Sequence, residues 1–211
     1  MDSYISFGLL CFTSFFTLMN PLGVMPVFMT MTSDLEDTAR RDTARKAVVV
    51  AFITLLAFAF SGQLLFKFFG ISVDSLRVVG GIIFFLMGQD MLQARLVSVK
   101  LSKSEVKEYV DDISVTPLAI PMICGPGAIT NSIVLMEDSQ TWEQKVILIA
   151  SMLFVCLITF LVLLSSGKII KFLGQTGNKI MMRLMGLIVM VIAVEFFFSG
   201  LTPFLEEIIH K

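Results

Sequence analysis

Asn20-Pro21-Leu22-Gly23 and Gly125-Pro126-Gly127-Ala128 put proline and glycine inside two apolar runs, 3–33 and 113–136, that hold no charged residue. Glycine and proline cost a helix interior roughly 1 and 3 kcal/mol against alanine. Bilayer hydrocarbon offers freed backbone groups no water to bond. Such a break does have a chemical use. The half-helix that follows it presents bare N–H groups and the positive end of a dipole, which suit an anion such as a carboxylate. The half that ends before it presents carbonyls, which suit a cation or an ammonium group. One break thus offers both poles of a zwitterion. Candidate substrate-binding residues are Asn20, Pro21, Leu22, Gly23, Gly125, Pro126, Gly127 and Ala128, with Thr130 and Asn131 a turn later adding side-chain bonds. Glycines keep such a site narrow and let a ligand approach the backbone. Asp90 and Glu195 are the acids that fall within the apolar spans. Intramembrane acids are costly and usually face a cavity or a partner, so both are candidates for proton or ion coupling; the alternative is a helix end wetted by headgroups.

Other chemistries find no support. No G-x-S-x-G, H-E-x-x-H or P-loop pattern occurs, and His210 is the only histidine. Cys11, Cys124 and Cys156 are scattered through apolar runs and read as buried fillers rather than a disulfide framework or a zinc site. No enzyme, cofactor or metal is therefore expected. A net charge of −1 suggests no nucleic-acid partner.

The elements that must position these residues are membrane spans. The 211 residues are 56% hydrophobic and only 16% charged, against about 25% charged in soluble domains, and mean hydropathy is +0.88. A helix needs about 20 apolar residues to cross the hydrocarbon core. Six helices are predicted, near 4–32, 46–69, 74–95, 113–136, 143–166 and 179–204, with the first and fourth interrupted near the midplane. A straight helix over 3–33 would run roughly 46 Å, and a break absorbs the excess over a ~30 Å core. The N-terminal stretch carries acidic Asp2 where a signal peptide would have a basic region and shows no small-residue cleavage site, so it reads as the start of the first helix. Twelve of the 16 basic residues fall in the first, third and fifth loops. The positive-inside rule then puts those loops in the cytoplasm and both termini in the periplasm of a bacterial inner membrane.

The two halves resemble each other. "SGQLLFKFFG" at 61–70 matches "SSGKIIKFLG" at 165–174, "LRVVGGIIFFLMGQD" at 76–90 matches "MRLMGLIVMVIAVEF" at 182–196, and "NPLG" precedes "GPGA" at the same offset. Three helices per copy is an odd number, so the second copy runs inverted. The expected architecture is an all-α membrane protein of two inverted three-helix repeats, 1–95 and 113–211, joined by a polar cytoplasmic linker at 96–112. Inverted repeats with matched broken helices point to a secondary transporter. Gly80, Gly81, Gly88 and Gly186 are expected to let helices approach closely, and Arg77 and Arg183 to anchor helix starts at the interface.

At "NPLGVMPVF", "PLAIPMICGPGAIT" and "RVVGGIIFFLMGQDML" the chain resembles the MarC family of bacterial inner-membrane proteins, over roughly residues 5 to 201. That family includes the SnatA-type small neutral amino acid transporters and is grouped with LysE-type exporters. The resemblance implies six helices in two inverted repeats and transport of glycine, alanine and similar substrates. It places the substrate at Asn20, Pro21 and Gly23 with Gly125, Pro126 and Gly127. The family usually has glutamine where this chain has Glu195, so the resemblance implies no shared proton-carrying role there. The leading expectation is a proton- or sodium-coupled transporter of small neutral amino acids that works by alternating access, its oligomeric state left open. The rivals are a passive channel for small polar solutes and a non-transporting structural or regulatory membrane protein.

Overall fold

The computed structural model describes residues 2–33, 35–93 and 106–209. Most of the predicted linker, Arg95 and the last two residues lie outside the described residues. Every element is helical: α1 (Asp2–Met19), α2 (Pro21–Met31), α3 (Asp37–Phe69), α4 (Val73–Leu92), α5 (Val106–Ile113), α6 (Pro126–Asp138) and α7 (Trp142–Ile209), with a wide-turned stretch, Ser114–Ile123, between α5 and α6. Five helices are long and apolar enough to cross a membrane, and a sixth span results if the bent pair 107–123 and 126–138 is counted as one.

Two boundaries differ from the sequence reading. Helix α3 begins at Asp37, well before the apolar run, because nothing obliges a helix to stop at the interface. Its polar first turns are laced by Asp37–Arg40 (3.0 Å) and Asp42–Arg45 (3.2 Å) pairs at i,i+3. Residues 106–112, expected to be linker, form α5, whose Tyr109 hydroxyl donates to the Met31 carbonyl at 3.1 Å.

Helix α7 counts 68 residues, Trp142 to Ile209. It does not run straight. Phe12 packs against Phe154, with ring centroids 5.7 Å apart, while Leu18 and Phe196 close on the same point at Gly127. A straight helix would hold residues 154 and 196 roughly 63 Å apart, so the chain doubles back between the spans Trp142–Ser166 and Lys179–Glu206. That agrees with the separate fifth and sixth helices read from hydropathy.

The contacts also give the span directions. Gly8 lies beside Ile147 and Phe12 beside Phe154, so the first span is parallel to the fifth. Thr30 Oγ1 donates to Met182 Sδ at 3.4 Å while Leu18 approaches Phe196, so the first is antiparallel to the sixth. Asn131 pairs with Ser14 and Tyr109 with Met31, which sets the fourth antiparallel to the first. Lys46 pairs with Asp111 and Gly62 receives Ile133, which sets the second parallel to the fourth. Neighbouring spans therefore alternate, and the start of α3, with Arg40, Arg41, Arg45 and Lys46, shares one end with α5.

Helix-periodic positions build the core. Cys11, Phe15 and Met19 form the inner face of α1, and Ala44, Ala47, Ala51, Leu55 and Ala59 that of α3. The three cysteines are buried and free. Helix α2 is buried on nearly every side, from Gly23 to Met29, and so lies inside the bundle rather than on its lipid face. Helix α4 crosses the last span antiparallel along a seam of small residues. A Cβ at Gly88 would stand 2.8 Å from the Gly186 carbonyl, and one at Gly186 2.8 Å from the Gly88 carbonyl. Backbones in such contact leave room for no side chain. Gly88→Val should force the two helices apart at a cost of about 1–3 kcal/mol. Its melting temperature in detergent and its membrane yield should both fall, and an unchanged melting curve would mean the seam is looser than described.

Candidate functional site

Helices α1 and α2 meet at Asn20, which sits in the left-handed region at φ 42°, ψ 66°. Pro21 has no N–H, so the carbonyl of Thr17, one turn earlier, loses its helix partner. Asparagine is among the few side-chain-bearing residues that tolerate the left-handed region. Here Asn20 uses its side chain as well: its Oδ1 accepts from the Gly23 N–H at 3.1 Å. The start of α2 is thus capped by the residue that breaks the helix, and a Cβ at Gly23 would collide with that amide.

The second break is built differently. Pro117 and Pro121 hold Thr116 (ψ 122°) and Ile120 (ψ 121°) extended, as proline does to the residue before it. The chain recovers through a wide turn in which Cys124 N–H donates to the Ala119 carbonyl at 2.7 Å. It bends by 61° into α6. Gly125 is the N-cap of α6 and Pro126 its first residue, and no side chain caps the helix. The Gly127 and Ala128 amides, which precede the first intrahelical donor, therefore have no capping acceptor from a side chain, unlike the Gly23 amide.

Between the breaks lies a cavity of about 130 Å3, well under the roughly 300–1,000 Å3 of drug-sized pockets. Thr17, Leu18, Met19 and Asn20 give it the carbonyl end of α1; Gly23 and Val24 give it the start of α2; Met122 comes from the approach to the second break. Phe84 and Met87 of α4 and Val189, Ile192 and Phe196 of α7 complete the wall. Among the described residues no ionisable side chain lines it. The rings of Phe84 and Phe196, 6.2 Å apart and edge to face, stand between this cavity and the start of α6. A Cβ at Gly125 would lie 2.5 Å from Phe84 Cζ, and one at Gly127 2.6 Å from Phe196 Cε1. Each ring covers one glycine of the second break.

The residues singled out in the sequence scatter around this cavity. Asn20 and Gly23 line it. Pro21 is buried behind them, and the side chain of Leu22 is 57% exposed, facing away. Gly125, Gly127 and Ala128 are buried just beyond the two rings, and Pro126 packs into the space Gly80 leaves open. Thr130 is buried, and its Oγ1 has no hydrogen-bond partner; three residues past Gly127, it lies on the same side of α6. Asn131 donates to Ser14 Oγ at 3.1 Å, tying α6 to α1. Asp90 and Glu195 are both exposed, and neither lines the cavity. Arg77, expected to anchor a helix start, pairs with Asp74 at 3.0 Å there. The sequence reading missed Thr17, Phe84 and Phe196. Thr17 had a signal, as the residue four before Pro21 whose carbonyl must go unpaired; the two phenylalanines, among 20 in the chain, had none.

Comparison with known proteins agrees on class. A family model described as MarC family integral membrane protein matches residues 5–205. The chain is 39% identical over 193 residues to UPF0056 membrane protein PH0760 of Pyrococcus horikoshii, covering 92% of this chain and 93% of the relative. It is 38% identical over 199 residues to UPF0056 membrane protein YvbG of Bacillus subtilis, covering 93% and 94%. No solved structure matches.

Proposed function

The chain belongs to the MarC family of integral membrane proteins, and from that membership we propose that it is a secondary transporter of small neutral amino acids. The observation that carries the reading is the chemistry of the cavity. It joins the carbonyl end of one broken helix to the neighbourhood of an uncapped helix start, with no ionisable side chain in its wall among the described residues. A ligand with net charge would be buried there uncompensated, at a cost of several kcal/mol. A zwitterion brings its own counter-charge: its ammonium suits the Thr17–Met19 carbonyls and its carboxylate suits the Gly127 and Ala128 amides. The small volume restricts the side chain to a few atoms. The unpartnered Thr130 hydroxyl adds a polar atom on the side of α6 that carries Gly127.

In this reading the first and fourth spans are the matched broken helices of two inverted repeats. Substrate enters beside Asn20, and Phe84 and Phe196 swing aside to join the cavity to the start of α6. Alternating access follows from the two repeats rocking about that point. A proton or sodium gradient drives transport, with Asp90 and Glu195 as the acids available to couple it from the bundle surface. The membrane is a bacterial inner membrane, with the basic end of the bundle in the cytoplasm. The second reading, a passive channel, is favoured by the same cavity if the rings do not close.

Labelled glycine and alanine uptake into proteoliposomes tests the function. Saturable uptake that follows an imposed pH or sodium gradient is expected. Linear, gradient-independent flux would establish the channel, and no flux at all would leave a non-transporting membrane protein.

The orientation has its own test. All three native cysteines are buried, so background labelling should be low. In intact spheroplasts Gln140→Cys, exposed between α6 and α7, should react with a membrane-impermeant thiol reagent, and Ser33→Cys, exposed at the basic end, should not. The opposite pattern would invert the topology.

A further inference from the structure

A groove of about 450 Å3 runs between α3 and the first span of α7, away from the central cavity. Arg41, Asp42 and Arg45 stand at its head, and below them its walls are apolar, from Val49 and Phe52 on α3 to Leu157 on α7. Val49 and Leu157 are 49% and 51% exposed. In a membrane-spanning bundle, side chains exposed along this face meet acyl chains rather than water. From Arg41 to Phe52 the helix rises about 16 Å, close to half of a ~30 Å hydrocarbon core and so to the depth of one leaflet.

The head of the groove has unspent positive charge. Arg41 has no carboxylate partner among the described residues. Arg45 pairs with Asp42 at 3.2 Å, but both side chains are mostly exposed, and such pairs are weak. Two further acids at this end are already paired, Asp37 with Arg40 and Asp111 with Lys46. Two guanidinium groups over one carboxylate, above an apolar slot of leaflet depth, match a phosphate headgroup with its acyl chain. Arginine binds phosphate through paired N–H donors, and basic pockets between membrane helices take anionic headgroups. A second copy of the chain fits worse. In a two-fold dimer the patch meets itself, which would set four guanidinium groups against two carboxylates.

We propose that this groove is a binding site for an anionic glycerophospholipid, its phosphate held by Arg41 and Arg45 and one acyl chain lying against Val49, Phe52 and Leu157. The site is separate from the transport cavity and does not depend on what the protein carries.

The test is native mass spectrometry of the intact chain released from detergent with equimolar phosphatidylglycerol and phosphatidylcholine of identical acyl chains. The wild type should retain phosphatidylglycerol in preference. The double variant Arg41→Gln/Arg45→Gln should lose that preference, by about fivefold per arginine. Arg183→Gln, which removes another exposed basic side chain outside the groove, should leave it unchanged. Leu157→Trp, which fills the slot without touching the charges, should lower retention of both lipids. Melting curves establish that each variant is folded. Equal retention of the two lipids by the wild type would overturn the proposal. So would an unaltered preference in the double variant, or a loss in Arg183→Gln as large as that in the double variant, which would reduce the effect to general surface charge. Displacement of the bound lipid by inorganic phosphate alone would make it a phosphate site, and a delipidated dimer cross-linked through Leu157→Cys would give the groove to a second copy; either result also overturns the proposal.

Discussion

Gly127→Ala should both destabilise the protein and stop transport, and a second substitution should separate the two effects. The added methyl would meet Phe196 Cε1 at 2.6 Å and Leu18 Cδ2 at 3.0 Å, an overpacking that costs about 1–3 kcal/mol. An open cavity beside this glycine would have tolerated a side chain in the fold and refused it only in function. With a ring on the glycine, loss of uptake in the single variant is ambiguous. Phe196→Leu removes the ring edge that collides, so Gly127→Ala/Phe196→Leu should regain most of the lost melting temperature. Glycine and alanine uptake per folded molecule should still be reduced roughly tenfold or more, because one hydrogen bond to a charged group is worth about 1.5–3 kcal/mol and the methyl keeps the carboxylate off the amides. If the double variant transports like the wild type, the start of α6 does not bind substrate. Phe196→Leu alone should fold and should admit larger side chains, such as valine, that the wild type excludes.

Asn20 carries the second large effect. Asn20→Ala loses the cap on Gly23, worth about 1 kcal/mol, and forces a left-handed alanine, at roughly 1–2 kcal/mol. Asn20→Gly adopts φ 42° freely and gives up only a few tenths of a kcal/mol as a cap. The alanine variant should therefore melt lower than the glycine variant, which should melt close to the wild type. Uptake should collapse in both, since Asn20 lines the cavity. Normal uptake by Asn20→Gly would show the side chain to be a structural cap and nothing more, and the ligand contacts would then rest on the α1 carbonyls.

Both experiments depend on features with different histories in the chain. The interruptions at Asn20 and before Pro126 fall where "NPLG" and "GPGA" stand, because proline removes a donor and glycine removes a side chain wherever they stand. That Asn20 would close its own helix start and Gly125 would leave the other bare was also half-written in the sequence: asparagine has an acceptor to offer and glycine has none. The rings were not legible. Phe196 lies in a span that is apolar all round, where hydropathy and helical period look the same for a residue turned to a cavity and one turned to lipid. Phe198, two positions on, is 59% exposed. Asp90 and Glu195, candidates for ion coupling, stand exposed outside the cavity wall, and the sequence could not place them for the mirror-image reason. An acid inside an apolar run signals that it needs a polar neighbour, but it does not say whether that neighbour lies in the bundle or at the membrane surface.

The sequence by itself determined the membrane class, the approximate spans, the clustering of basic residues at one end and the places where two helices must break. All of these follow from transfer free energies and backbone chemistry that act residue by residue along the chain. Tertiary structure alone decided what faces what. It bent α7 back so that Phe154 and Phe196 lie beside one short helix, pressed Gly88 against Gly186, buried α2 on nearly every side and laid Phe84 and Phe196 over Gly125 and Gly127. Those pairings join residues distant in the chain, and packing selects them by shape. No local preference distinguishes one apolar face from another until the helices are in contact.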